Sequence, residues 1–206
     1  ELPDSSALHQ WLQDMSELEA VISEDACWRQ IKMTRDTENK EFEEAFTYFC
    51  TEIQPKIQPF SDALNRKLVA HPLVNELPKH PYFPYLRSVK NAIELYREEN
   101  IPLFSELSVM QQQYGMIAGK MTVEVNGQEY TLQQAARFLE NDDRTLRESV
   151  YRKINERRRQ DQEQLNTLFD QLIERRQKVA LHAGFENYRD YKFKELGRFD
   201  YSPEDC

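Results

Sequence analysis

Between Met121 and Thr131 polar and apolar residues alternate: Met121-Thr122-Val123-Glu124-Val125, then Asn126-Gly127, then Gln128-Glu129-Tyr130-Thr131. Asn-Gly is the strongest two-residue hairpin signal, because both positions take positive φ at little cost. A lone hairpin is marginal in water, so this one must lean on helices. Elsewhere the apolar residues recur at spacings of three and four. With only 5 glycines for tight turns and 31% charged residues for a solvated exterior, the chain reads as mainly α: a multi-helix lobe with one β-hairpin at about 121–131.

The helical pattern starts at Asp4 or Ser5, either of which can cap it, and runs to about Met33 through Leu8, Trp11, Leu12, Met15, Leu18, Val21, Ile22, Trp28 and Ile31. A second stretch begins near Asp36, and Pro55 and Pro59 are expected to bend or interrupt it. Residues 72–84 hold four prolines and read as a connector, after which Pro84 opens a helix. Another helix covers Phe104 to about Ala118. After the hairpin, Thr131 and Gln134 fit a capping box. Asn141-Asp142-Asp143 caps the longest predicted element, a helix over about 144–183, roughly 60 Å long at the α-helical rise. Its stripe of Leu146, Val150, Ile154, Leu165, Leu168, Phe169, Leu172 and Ile173 is interrupted by Arg157-Arg158-Arg159 and Asp161, and Gly184 is the expected stop. The predicted organisation is a helical region over 1–105, a hairpin and long-helix region over 106–200, and the start of a further lobe over 201–206.

The formal charge of −9 disfavours a general nucleic-acid binder. Its distribution is uneven: residues 1–60 carry 13 acids and 5 bases, whereas residues 144–160 carry seven bases and two acids. That basic run lacks the interleaved aromatics of a base-stacking surface and reads first as a solvated helix face. No apolar run is long enough to span a membrane, and Glu1-Leu2-Pro3-Asp4 shows no signal-peptide pattern. Cys27, Cys50 and Cys206 are odd in number and widely spaced, which points to a reducing, cytoplasmic setting. Cys27 and Cys50 are expected to be small core residues.

No catalytic constellation is visible. His9, His71, His80 and His182 are not clustered, H-E-x-x-H is absent, and so are the nucleophile elbow, P-loop and dinucleotide motifs. The pairs Glu43-Glu44, Glu98-Glu99 and Asp142-Asp143 are explained by solvent or helix capping. The sequence therefore assigns no catalytic residue, no metal ligand and no substrate-contacting residue. The tail Gly197-Arg198-Phe199-Asp200-Tyr201-Ser202-Pro203-Glu204-Asp205-Cys206 reads as a helix opening, with Ser202 as N-cap, Pro203 at the first position and acids in the first turn. On this reading the chain is the front part of something longer.

Several of these stretches resemble the oligoendopeptidase F group of thimet-oligopeptidase-type zinc metallopeptidases. They are Tyr114-Gly115-Met116-Ile117-Ala118-Gly119-Lys120-Met121-Thr122-Val123, Asn126 to Leu132, Asp143-Arg144-Thr145-Leu146-Arg147-Glu148, Ala183-Gly184-Phe185-Glu186-Asn187-Tyr188-Arg189-Asp190-Tyr191-Lys192-Phe193, and the tail. The likeness is strongest over 107–206 and weaker over Trp11 to Leu68. It implies a helical, two-lobed shell around a channel. Zinc would sit in the later lobe on an H-E-x-x-H helix and a further glutamate, and short peptides would be the substrates. This chain stops short of that motif, so no family ligand maps onto it. As the channel-covering front lobe it is expected to bind no zinc, to be inactive alone, to partner the missing catalytic lobe, and to self-associate through apolar surface left uncovered. The rival reading is a non-enzymatic helical interaction module.

Overall fold

A computed structural model describes residues 2–206, apart from the Pro81 side chain. The chain forms two compact units. One ends at Leu107 and resumes over Arg175–Cys206; the other is Ser108–Glu174.

The first unit opens with α1 (Ser5–Arg35), whose N-cap is Asp4: its carboxylate accepts from the Ala7 N–H at 2.9 Å. Asn39 caps α2 (Lys40–Tyr48), so that helix begins later than the expected Asp36. A π-turn over Phe49–Ile53 leads into α3 (Gln54–Ala70). The prolines act differently from the sequence expectation. Pro55 sits in the first turn of α3, and the helix continues through Pro59. Pro59 forfeits one backbone bond, while Leu68 further along is buried in the core and holds the helix in place. The irregularity lies just before Pro55. In a π-turn the Cys50 carbonyl would look to the N–H five residues on, but that residue is Pro55 and has none. The Ser105 hydroxyl donates to that carbonyl instead, at 2.8 Å. Ser105→Ala is therefore expected to cost about 1–3 kcal/mol, the penalty for removing a partner from a buried acceptor; chemical denaturation of the two proteins measures it.

A 3-10 turn (Pro72–Glu76) precedes α4 (Lys79–Leu95). His80 breaks α4 near its start, with φ −108° and ψ 124°, because a residue before proline is pushed out of the helical region. Pro84 therefore does not open the helix but lies in the first turn after the break, where a missing N–H costs little. α5 (Asn100–Gly119) follows. Leu8, Leu68 and Val89 form the buried centre of this unit, with Trp11, Leu12 and Leu86 packed around them.

In the second unit β1 (Thr122–Val125) pairs antiparallel with β2 (Gln128–Thr131), with Thr122 opposite Thr131 and Val125 opposite Gln128. Asn126 and Gly127 take φ of 55° and 78°, the geometry of a type I′ turn. The hairpin leans on helices as expected. Met121, Val123 and Val125 share a core with Leu132 and Ala135 of α6 (Leu132–Ala136), and with Val150 and Ile154 of α7 (Arg144–Gln160). Thr131 and Gln134 make the reciprocal capping box, and Asp143 caps α7.

The helix predicted over 144–183 is two helices, α7 and α8 (Gln162–His182), broken at Asp161. Asp161 has φ −102° and ψ 8°, and its carboxylate pairs with Arg157 of the preceding turn. The reason is legible in the pattern. No apolar residue lies between Ile154 and Leu165, so no core contact holds the helical register there, and an aspartate competes for local hydrogen bonds.

α8 ends at Gly184, with φ 87°. The Phe185 N–H bonds the Ala180 carbonyl and the Gly184 N–H bonds the Leu181 carbonyl, at 2.9 and 3.0 Å, the Schellman pattern. Asn187 caps α9 (Tyr188–Glu195), which Gly197 stops with a second positive φ of 66°. The tail forms a 3-10 turn over Pro203–Asp205. The Asp205 carboxylate accepts from the N–H and hydroxyl of Ser202, both at 2.8 Å, which holds its pKa below the usual value.

Candidate functional site

Each histidine has its own local surroundings. The His9 Nδ1 is 2.6 Å from the Tyr82 hydroxyl. His71 accepts from the Leu73 N–H and so caps the 3-10 turn. His80 marks the break in α4. The His182 Nδ1 lies 2.8 Å from Oδ1 of Asn100, whose Nδ2 donates to the Val179 carbonyl at 3.0 Å. Asn100 is fully buried. Beside it the Arg97 guanidinium donates to the His182 and Ala183 carbonyls ending α8, and to the Glu94 and Tyr96 carbonyls ending α4. A cation at two helix C-termini is where unsatisfied carbonyls and the helix dipole favour it. This polar cluster ties the ends of α4 and α8 to the start of α5.

The basic run over 144–160 is largely committed within its own unit. Arg147 caps the carbonyls of Asn141 and Asp142, Arg152 pairs with Glu148, Arg157 with Asp161, and Lys153 donates to the Glu124 carbonyl. Those pairings favour the solvated-face reading.

The resembling segments also carry structure. Asn126-Gly127 makes the turn, Gly184 ends α8 and Asn187 caps α9. Tyr191 is buried, its ring 5.7 Å from Phe185 and 5.8 Å from Tyr188, and burial pushes its phenol pKa up. Asp190 accepts from Arg189 and Asn187, which pull its pKa down.

Cys50 is buried, but Cys27 is exposed, against the expectation of a core residue. The reason is that α1 buries only Leu8 near its start and Met33 near its end. Between them Leu18, Val21, Trp28 and Ile31 are 53%, 65%, 53% and 49% exposed. Their spacings of three, seven and three place them on one side of the helix. Four large apolar side chains thus stand exposed on one side of α1. Amphipathic periodicity pointed to these residues, but nothing in the periodicity says that this unit leaves them uncovered.

Among the described residues no group of three or more His, Cys, Asp or Glu is placed to hold a metal ion. A zinc site of the kind the resemblance implies does not fit this chain's own side chains. No described helix is long and apolar enough to cross a membrane.

The sequence profile of the Peptidase M3 N-terminal domain matches residues 2–96. This covers the weaker of the two resembling regions, around Trp11 to Leu68. No curated protein sequence matches the chain. Solved structures match its fold along nearly its whole length. A structure assigned as an oligoendopeptidase F superposes with a TM-score of 0.92 at 21% identity, over 99% of this chain and 36% of that one. PZ peptidase A, solved with an inhibitor, gives 0.91 at 20% identity over 98% and 36%. A chain assigned as oligoendopeptidase F from Bacillus anthracis str. Ames gives 0.81 at 19% identity over 97% and 35%. The chain thus spans about a third of the length of these structures. Residues 2–96 thus match the Peptidase M3 N-terminal domain, and the chain shares the fold of these peptidase structures along nearly its whole length.

Proposed function

We propose that this chain is the front, channel-covering part of a zinc-dependent metalloendopeptidase that hydrolyses short peptides in the cytoplasm. The observation that carries the reading is the M3 N-terminal domain match over residues 2–96, joined to a fold shared with peptidase structures along 99% of the chain. On this reading the metal and the residues that activate water belong to a separate catalytic lobe. When bound there, zinc would polarise the scissile carbonyl and its bound water. The work left to this chain is to restrict access and to hold the catalytic lobe. The exposed side of α1, with Leu18, Val21, Trp28 and Ile31, is the surface proposed for that contact. Left uncovered, it would drive self-association.

The test pairs this 206-residue chain with the full-length product that contains it, each supplied with zinc and a quenched fluorescent peptide. The expected result is chelator-sensitive cleavage by the full-length product and none by the chain alone. Cleavage by the chain alone would place the catalytic site within these residues and overturn the division of labour. A full-length product with no metal-dependent cleavage would overturn the peptidase reading.

The exposed side of α1 also supports a second reading, a helical module that holds a protein partner without catalysis. A full-length product that is inactive on peptides but forms a defined complex through α1 would favour it.

A further inference from the structure

We propose that a groove along α4 in the first unit binds an acidic peptide segment, one in which carboxylate and apolar side chains alternate. The groove has a volume of about 620 Å³, within the range of ligand clefts. Leu77, Phe83, Leu86 and Phe199 give it an apolar lining, and four cations, Lys79, Arg87, Lys90 and Lys194, face a single lining carboxylate, Glu94.

The pairing of these charges decides what is left for a ligand. Lys194 is bonded to Glu94, so those two cancel. Arg87 lies over the Phe199 ring at 4.3 Å and the Phe83 ring at 5.4 Å. Its carboxylate neighbour is Asp200 at 3.6 Å, which is 84% exposed. Its buried Nε has no hydrogen-bond partner among the described residues. Lys79 and Lys90 are exposed, and among the described residues neither forms an ion pair. The groove therefore offers two unpaired ammonium groups and a ring-stacked guanidinium with one loose carboxylate contact. It does so in a chain whose net charge is −9, where most of the surface repels anions.

The shape of that charge favours an extended ligand. Arg87 and Lys90 lie three residues apart on α4, about 4.5 Å at the helical rise, and Lys79 stands before the break at His80, so the three cations line the groove separately and are not gathered at one point. Apolar side chains lie among them. A compact anion would satisfy one cation and leave the lining wet. An extended peptide can set carboxylates on the lysines and apolar side chains on Leu77, Leu86 and the two rings. The inference goes beyond the peptidase reading and does not rest on it, because its test involves no catalysis.

The experiment is fluorescence anisotropy of a labelled peptide alternating glutamate with leucine, titrated with the 206-residue chain at low salt. A peptide with lysine in place of glutamate is the control. Saturable binding of the glutamate peptide alone is expected. It should weaken roughly tenfold or more in the double variant Lys79→Glu, Lys90→Glu and on raising the salt, as charge-paired association requires. Both lysines are exposed, so the variant keeps the parent melting curve. Lys32→Glu, on α1 and outside the groove, should keep the parent affinity. Absence of binding, equal binding of the lysine peptide, or indifference to the double variant overturns the proposal. Full displacement by equimolar inorganic phosphate would show a simple anion site and overturn the peptide assignment.

Discussion

Leu8→Ala is expected to lower the stability of the chain by about 2–5 kcal/mol, the range for emptying a leucine site in a core that relaxes only in part. Leu18→Ala, further along the same helix, is expected to stay within about 0.5 kcal/mol of the parent. The two leucines are alike in chemistry and in helical periodicity. They differ in what covers them. Leu8 has 0% of its surface exposed and packs with Leu68 and Val89, while Leu18 is 53% exposed. Urea denaturation of the two variants measures the contrast. Sedimentation gives the complementary result: Leu18→Ala should reduce self-association of the chain, and Leu8→Ala should leave any association of its folded fraction unchanged. Equal losses of stability in the monomeric chain would mean that Leu18 is covered within the monomer, and the association surface proposed for α1 would have to be abandoned.

The second large effect is expected at Asn100. Its side chain is fully buried, donates to the Val179 carbonyl and meets the His182 ring. Asn100→Ala removes both interactions and leaves a void, for a loss of about 2–4 kcal/mol. In a chain of this length that corresponds to a melting temperature lower by roughly 4–16 °C. His182→Ala should cost less, because that residue is exposed and the Val179 carbonyl keeps both its Asn100 donor and the Ala183 N–H. A double-mutant cycle between the two positions should show non-additivity, since one hydrogen bond is counted in both single variants. Strict additivity would mean that the 2.8 Å contact between them contributes nothing in solution.

These two residues also show how far the sequence could be read. Short-range rules placed the hairpin at Asn126-Gly127, the capping box at Thr131 and Gln134, the cap at Asp143 and the stop at Gly184, because each depends on a few neighbouring residues and on φ preferences that only certain side chains accept. The break at Asp161 was also written locally, as an apolar gap, but a gap is equally compatible with a solvated continuous helix. Its outcome depended on the Arg157 pairing and on the absence of any core contact there. The prolines misled for a related reason. Pro55 and Pro84 lie in first turns, and the carbonyl that Pro55 leaves without an N–H is served by Ser105, some fifty residues away. Asn100 carried no signal at all. An asparagine at a helix start reads as a cap, and only the arrival of Val179 and His182 makes it a buried link.

The candidate site divides in the same way. The absence of a catalytic motif was legible, because such motifs are strings with fixed spacing. The groove was not. Lys79, Arg87 and Lys90 look like ordinary surface charge in the sequence. They become a site only when Phe199 is brought to α4 and Lys194 takes up Glu94. By itself, then, the sequence determined the helical elements, the hairpin and most of their ends, all of which follow from local backbone preference and periodicity. The tertiary structure alone decided which apolar faces are covered and which cations keep their charge unpaired, because burial and ion pairing depend on residues far apart in the chain that only folding brings together.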